Sequence, residues 1–271
     1  MKQLRAIRIL LAALFLAASL ACIVMGSHAH PMAVLSEKSQ IALSALSVTL
    51  GATLVWLLVT FLLGRVYCAT VCPIGTISDL FLRLRRCIPR LNRPFSYRHP
   101  SKASIHILWI YVICLLLGIG VVPLLIEPWN MTRNIVAVAK PSVAQQAWIE
   151  VGLGAAAGVA AGVVSVVLIA ALSLWRGREF CTSYCPLGYA MGKIGDRSVW
   201  QLEIDRDLCD SCGRCEDECR ASCIKVVSRY IDNSRCVRCF DCAARCPRQA
   251  IRLQAGRNRP ATPLFRRAKQ R

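Results

Sequence analysis

The chain has 271 residues, of which 55% are hydrophobic, and it carries 34 lysines and arginines against 15 aspartates and glutamates. This apolar fraction excludes a disordered basic protein, and a net charge of +19 on such a chain is typical of membrane spans joined by basic loops. Most of the 16 cysteines stand at metal-ligand spacings, which makes a small secreted disulfide scaffold a poor interpretation.

Four hydrophobic segments are long enough to cross a bilayer, which takes about 20 apolar residues. None of them contains Asp, Glu, Lys or Arg, and they are Ile9–Met25, Ile41–Leu63, Ile105–Ile126 and Val151–Trp175. Basic residues before the first segment and small residues after it also fit a cleavable signal peptide. We favour an uncleaved first span, because its apolar core is longer than the core of a usual signal peptide.

The positive charges predict the orientation of these segments. All but three of the 34 lysines and arginines lie at the N-terminus, in the loop Arg65–Lys102 or after Trp175. The positive-inside rule therefore predicts a multi-pass protein of the bacterial inner membrane, with both termini in the cytoplasm. The basic runs are explained by topology and by attraction to membrane lipid, and no nucleic-acid recognition motif accompanies them.

Eight cysteines after Leu202 carry the strongest chemical signal. They form two runs of the pattern C-x2-C-x2-C-x3-C that are offset by 27 residues, namely Cys209, Cys212, Cys215 and Cys219, then Cys236, Cys239, Cys242 and Cys246. Three cysteines in a tight loop suit three corners of a cubane, and the fourth corner must come from elsewhere. Structural zinc gives no reason for this triplet-plus-one pattern, and disulfides are disfavoured in the reducing cytoplasm.

The tail resembles bacterial-type ferredoxins that carry two [4Fe–4S] clusters, in which the fourth cysteine of each run binds the other cluster. The resemblance implies one cluster on Cys209, Cys212, Cys215 and Cys246, and a second on Cys236, Cys239, Cys242 and Cys219. Arg220 stands where such proteins usually have proline. The nearby Cys223 is an alternative ligand to Cys219, which we prefer because it preserves the duplication.

A second pair of motifs follows the second and fourth hydrophobic segments. Each copy reads C-x3-C-P and is followed by Ile-Gly or Leu-Gly, and the four cysteines are Cys68, Cys72, Cys181 and Cys185. Cysteines four residues apart share a helix face, so two such pairs at one membrane edge can present four thiols to each other. The quartet is a candidate redox dithiol, metal site or further cluster site; reduced cysteines packing at helix ends are the alternative.

Together these motifs resemble the NapH/MauN group of membrane ferredoxin-type proteins, with NosR and CcoG as more distant relatives. The resemblance implies an electron-transfer protein, such as a quinol dehydrogenase component, that connects a membrane quinone with a protein redox partner. It also leaves two alternatives, a maturation factor that donates electrons to a metal centre under assembly and a membrane redox sensor.

The expected fold class is a membrane all-α fold, with four transmembrane helices and a C-terminal α+β bacterial dicluster ferredoxin-like domain. The expected domains are residues 1–26, 27–200, 201–255 and a basic tail at 256–271. Two local predictions accompany this. Gly154, Gly158 and Gly162 form a small-residue face for helix packing, and Glu127 is an interfacial acid of the loop between the third and fourth segments.

Overall fold

The structure is a computed structural model that describes residues 2–25, 50–91 and 93–255. The start of the predicted second span and the predicted basic tail at 256–271 lie outside these residues. The chain is mostly helical, and the helices that precede the tail domain are α1 (Lys2–Met25), α2 (Leu50–Leu63), α3 (Tyr67–Thr70), α4 (Pro73–Cys87), α5 (Ala103–Leu116), α6 (Val121–Ile126), α7 (Pro128–Ala137), α8 (Ser142–Glu150), α9 (Ala155–Arg176) and α10 (Pro186–Gly195).

Two helices of the described residues are long and apolar enough to cross a membrane, Gln3–Met25 and Ala156–Arg176. The helices at the other two predicted spans are shorter, at Thr53–Leu63 and Ala103–Leu116. The third predicted span is not one continuous helix, because α5 ends before Gly118, which has a φ of +72°. A left-handed residue cannot continue a right-handed helix, so the chain turns there before α6 begins.

The segment after α6 folds back into the helical bundle instead of forming an external loop. Helix α7 packs along α9, and a Cβ on Gly162 would lie only 2.0 Å from the backbone oxygen of Asn134. The Asn134 side chain accepts a hydrogen bond from Trp148 Nε1 at 2.9 Å and donates one to the Leu124 carbonyl at 2.9 Å. The small-residue prediction is thus confirmed at Gly162, where the two backbones meet.

The tail forms a small α+β domain with two antiparallel strand pairs. Strands β1 (Trp200–Ile204) and β4 (Ile251–Ala255) pair at its ends, and β2 (Ile224–Lys225) pairs with β3 (Tyr230–Ile231). Each cysteine run contains a short helix, and these are α11 (Arg214–Glu218) and α12 (Asp241–Arg245). Both the short helices and the β2–β3 pair agree with the sequence pattern.

The backbone repeats with the same 27-residue offset as the cysteines. Three pairs of equivalent residues adopt positive φ angles, and they are Ser211 with Arg238, Gly213 with Phe240, and Ser222 with Gln249. Non-glycine residues with positive φ are uncommon, so their recurrence at matching positions indicates the same loop built twice. The buried residues of the tail and of both C-x3-C-P segments belong to one continuous core.

Candidate functional site

The two C-x3-C-P segments share one local structure. Each begins with a glycine at φ +78°, Gly64 or Gly177, which turns the chain after the preceding helix. A short helical turn follows, and the second cysteine, Cys72 or Cys185, then takes an extended conformation as the N-cap of the next helix. The two cysteines of a motif are therefore not on one continuous helix face, because proline at the first helical position starts a new helix after the second cysteine.

Two buried arginines link the segments in a crossed arrangement. Arg65 of the first segment donates from Nη2 to the backbone oxygen of Cys181 at 2.5 Å. The equivalent Arg178 of the second segment donates from Nη1 to the backbone oxygen of Cys68 at 2.9 Å. Each arginine thus holds the first cysteine of the other motif, which fixes the two segments against each other.

The glycine that follows each proline leaves room for this arrangement. A Cβ on Gly75 would lie 2.3 Å from the Cys68 oxygen, and a Cβ on Gly188 would lie 2.3 Å from the Cys181 oxygen. The Gly188 N–H also donates to Cys185 Sγ at 3.3 Å. The Ile-Gly and Leu-Gly dipeptides of the sequence pattern therefore have a steric cause.

The four thiols of the quartet lie together and are all buried. Burial raises the pKa of Cys181 to about 11 and places the pKa of Cys72 well above its ordinary value. The charges of the neighbouring cysteines act in the same direction on Cys72. Without a metal, these two groups are therefore protonated thiols at neutral pH.

Asp79 of α4 joins the quartet region to the tail domain. It accepts hydrogen bonds from Arg8 at 2.9 Å and from Arg178 at 2.8 Å, and it forms an ion pair with Arg220 Nη1 at 2.9 Å. Arg220 also contacts Asp241 through Nε at 3.0 Å. The arginine that replaces the usual proline after the fourth cysteine thus bridges α4 and the second cysteine run.

The structure brings together the four cysteines of the first implied ligand set. Cys215 lies within electrostatic range of Cys209, Cys212 and Cys246, and burial with these neighbours raises its pKa to about 12. Cys212 is exposed, Cys209 and Cys246 are half-buried and Cys215 is buried. This set faces the surface of the tail domain.

The second implied set is also together and lies deeper. Cys242 lies within electrostatic range of Cys219, Cys236 and Cys239. All of them are buried except Cys239, which is half-buried. Arg178 lies within electrostatic range of both Cys239 and the quartet cysteine Cys181, so this set is the one beside the quartet.

Cys223 places a fifth thiol beside the second set. Its Sγ lies 3.4 Å from Cys219 Sγ, its N–H donates to the same sulfur at 3.4 Å, and its side chain hydrogen-bonds to Cys236. The last contact lowers the pKa of Cys236 to about 6. In the second run the equivalent residue is Ala250, whose N–H donates to Cys246 Sγ at 3.4 Å.

The charge around these cysteines fits bound anionic clusters. Among the described residues, seven arginines but only four acids are buried. The arginines are Arg8, Arg65, Arg85, Arg178, Arg220, Arg235 and Arg238, and the acids are Asp79, Glu127, Asp232 and Asp241. Arg238 leaves Nε and Nη1 buried without a hydrogen-bond partner, within electrostatic range of Cys236 and Cys242. Thiolate-ligated iron–sulfur clusters would carry negative charge that compensates these buried guanidinium groups.

Two further observations concern Glu127 and the binding of a single metal ion. Glu127 is buried and not interfacial, since the fold-back of α7 places it inside the bundle, where its Oε2 accepts a hydrogen bond from Asn130 at 2.6 Å. Among residues 2–25, 50–91 and 93–255, no three His, Cys, Asp or Glu side chains stand close enough to hold one metal ion.

Comparison with known proteins gives one family match. A family model described as "4Fe-4S binding domain" matches residues 46–91 and 159–201. The matched segments contain the four C-x3-C-P cysteines and end before the eight cysteines of the tail. No solved structure matches the chain.

Curated relatives extend the likeness along the chain. The chain is 25% identical over 213 residues to the ferredoxin-type protein NapH of Haemophilus influenzae, which covers 75% of the chain and 67% of the relative. It is 30% identical to the methylamine utilization ferredoxin-type protein MauN of Paracoccus denitrificans, covering 71% and 61%. It is 23% identical to the putative electron transport protein YccM of Escherichia coli, covering 71% and 51%.

The chain is therefore similar to ferredoxin-type and electron-transport proteins, and two of its segments match a 4Fe-4S binding domain. The resemblance to NapH and MauN predicted from the cysteine motifs is confirmed. The two long apolar helices agree with a membrane protein.

Proposed function

We propose that this protein carries electrons between the membrane quinone pool and a protein redox partner, in the inner membrane and with both termini in the cytoplasm. The observation that carries the proposal is the graded burial of three cysteine sets that lie side by side. The quartet is buried, the second tail set lies beside it, and the first tail set reaches the surface. Such an order suits electron passage between an apolar site and a soluble acceptor.

The two tail sets would each hold one [4Fe–4S] cluster, which supplies one-electron transfer when bound. Cys209, Cys212, Cys215 and Cys246 form the first ligand set, and Cys219, Cys236, Cys239 and Cys242 form the second. We assign Cys219 as the ligand because it is the structural equivalent of Cys246. In both cases the sulfur accepts a hydrogen bond from the backbone N–H four residues later in the chain. Cys223 then serves as a hydrogen-bond donor to the second set.

The quartet is the proposed redox or cluster site on the membrane side of this path. The crossed contacts of Arg65 and Arg178 hold the backbones of Cys181 and Cys68, and the two positive charges would stabilise thiolates that bind a cluster. A further iron–sulfur cluster at this position, which is larger than a single metal ion, would be held by Cys68, Cys72, Cys181 and Cys185. The family model supports the proposal, because its two matched segments contain these cysteines.

The surface around the first tail set suits an acidic partner. Arg245, Arg248 and Arg252 are exposed there, and a groove of about 630 Å³ runs past Cys246 between Arg245 and Arg252. Complementary charge speeds the docking of a redox partner and brings it close to the most exposed cysteines.

The test is reduction of the clusters by quinol in the full-length protein, purified anaerobically and placed in liposomes. We expect a short-chain quinol to produce the EPR signals of reduced clusters. A variant with alanine at all four quartet positions should lose this reaction and still be reduced by dithionite. Full quinol-linked reduction in that variant would refute the role of the quartet, and no reduction of the wild type would refute the quinone link and favour an electron-donating maturation factor.

A further inference from the structure

A cavity of about 510 Å³ lies where the start of α5, helix α10 and the tail domain meet. Four cationic side chains line it, namely Arg65, Lys102, Lys193 and Arg235, and no Asp or Glu is among the described residues of its wall. Like charges gathered around one space repel one another unless an anion neutralises them.

The two arginines of the wall show where an anion is needed. Arg65 is 1% exposed and Arg235 is 4% exposed, and each leaves its Nε buried without a hydrogen-bond partner. Both terminal nitrogens of Arg65 donate, to the Ser234 and Cys181 oxygens, and Nη1 of Arg235 donates to the Arg98 oxygen. Neither arginine forms an ion pair with an acid of the described residues, so an oxyanion in this cavity would offset the cost of burying their two charges.

An apolar strip continues from the mouth of the cavity along α5. Ile105 belongs to the wall, and Trp109 and Ile110 follow within one to two turns. All three are strongly exposed, at 42%, 60% and 54%. A free phosphate ion gains nothing by contact with an apolar strip, whereas acyl chains bury apolar surface against it.

We infer that this cavity binds the phosphate headgroup of an anionic phospholipid, with its acyl chains lying along Ile105 and Trp109. Basic pockets beside apolar helices on the cytoplasmic side are the setting in which such headgroups bind. The lysines Lys102 and Lys193 form its exposed rim, and the two arginines form its floor.

The bound phosphate would lie beside both electron-transfer sites. Arg65 Nη2 is 3.8 Å from Cys68 Sγ of the quartet, and Arg235 directly precedes Cys236 of the second tail set. Neutralising these cations removes positive charge that favours the reduced cluster. Anionic lipid should therefore lower the reduction potential at the second set; this consequence rests on the proposed function, whereas lipid binding itself does not.

Binding is tested on the full-length protein in a neutral detergent by native mass spectrometry. The probes are phosphatidylglycerol, phosphatidylcholine and inorganic phosphate. We expect phosphatidylglycerol to bind in preference to phosphatidylcholine. The double variant K102Q/K193Q should bind phosphatidylglycerol roughly thirtyfold more weakly, at about fivefold per lost surface cation. The matched control K225Q/R248Q removes two exposed cations elsewhere and should bind as the wild type does.

Equal binding of phosphatidylglycerol by both double variants would overturn the inference, as would equal binding of the two lipids. Displacement by inorganic phosphate at the same concentration would assign the cavity to free phosphate. If the lysine pair fails to fold, K102Q alone should bind phosphatidylglycerol about fivefold more weakly, with K225Q outside the cavity as its control. The iron content of each sample reports separately on the proposed clusters, so failure of either proposal is distinguishable.

Discussion

Asp79→Asn is expected to destabilise the protein strongly, since Asp79 is the common partner of Arg8, Arg178 and Arg220. Asparagine keeps the shape of the side chain but removes its charge, which leaves three guanidinium groups around a neutral amide. The Asp79 side chain is 9% exposed, and breaking a buried ion pair costs about 3–5 kcal/mol. For a chain of this size, such a loss corresponds to a drop in melting temperature of roughly 10 °C.

The sign of the pH dependence follows from the same contacts. Burial opposes ionisation of Asp79, but the charges of Arg178 and Arg220 outweigh it and hold its pKa well below the ordinary value of 3.8. The stabilisation is therefore complete above about pH 4 and is lost as the pH falls below that value towards the folded-state pKa. In Asp79→Asn this acid-dependent loss should be absent.

The assay is thermal unfolding of the purified full-length protein, followed by tryptophan fluorescence. Asp207→Asn is the control, because Asp207 is exposed and forms no ion pair among those of the described residues. Equal melting temperatures for the two variants would refute the reasoning that Asp79 joins the quartet region to the tail domain.

Three further predictions concern the ligands, the bundle and the partner. Cys219→Ala should lose about four irons per chain, whereas Cys223→Ala should keep all its iron. Cys223→Ala should also show a more negative cluster potential in an EPR titration, because a hydrogen bond to the cluster sulfurs is lost. Iron loss in Cys223→Ala alone would assign Cys223 as the ligand instead of Cys219. Gly162→Ala should lower stability by about 1–3 kcal/mol by crowding the Asn134 carbonyl, and Gly154→Ala should be nearly neutral, as judged by melting temperature. Electron transfer to an acidic acceptor protein should slow about tenfold as salt rises from low to high concentration in stopped-flow measurements, and a salt-independent rate would contradict docking on the basic surface.

The tail domain could be predicted closely from the sequence because its geometry is local. Ligand spacing and the 27-residue offset indicated the two loops, and the positive φ angles of Ser211 and Arg238 recur at that offset. The short strands at Ile224–Lys225 and Tyr230–Ile231 pair across a turn of a few residues, so they too are local. In such a module, sequence neighbours provide most of the structure.

The helical region was predicted less well, since its contacts join distant residues. Hydrophobicity alone did not distinguish a continuous span from the break at Gly118, nor did it show that Glu127 returns to the bundle interior. The crossed contacts of Arg65 and Arg178 span more than 100 residues. The repeated Gly-Arg before each first cysteine was the available signal, and it is visible at 64–65 and 177–178.

The central claim is that the tail holds two [4Fe–4S] clusters, and iron and sulfide analysis tests it most directly. The measurement uses the variant with alanine at Cys68, Cys72, Cys181 and Cys185, purified without oxygen, so that only tail sites contribute. The account predicts about eight irons and eight sulfides per chain, with EPR signals from two centres after reduction. A colourless, iron-free protein that is otherwise folded would contradict it.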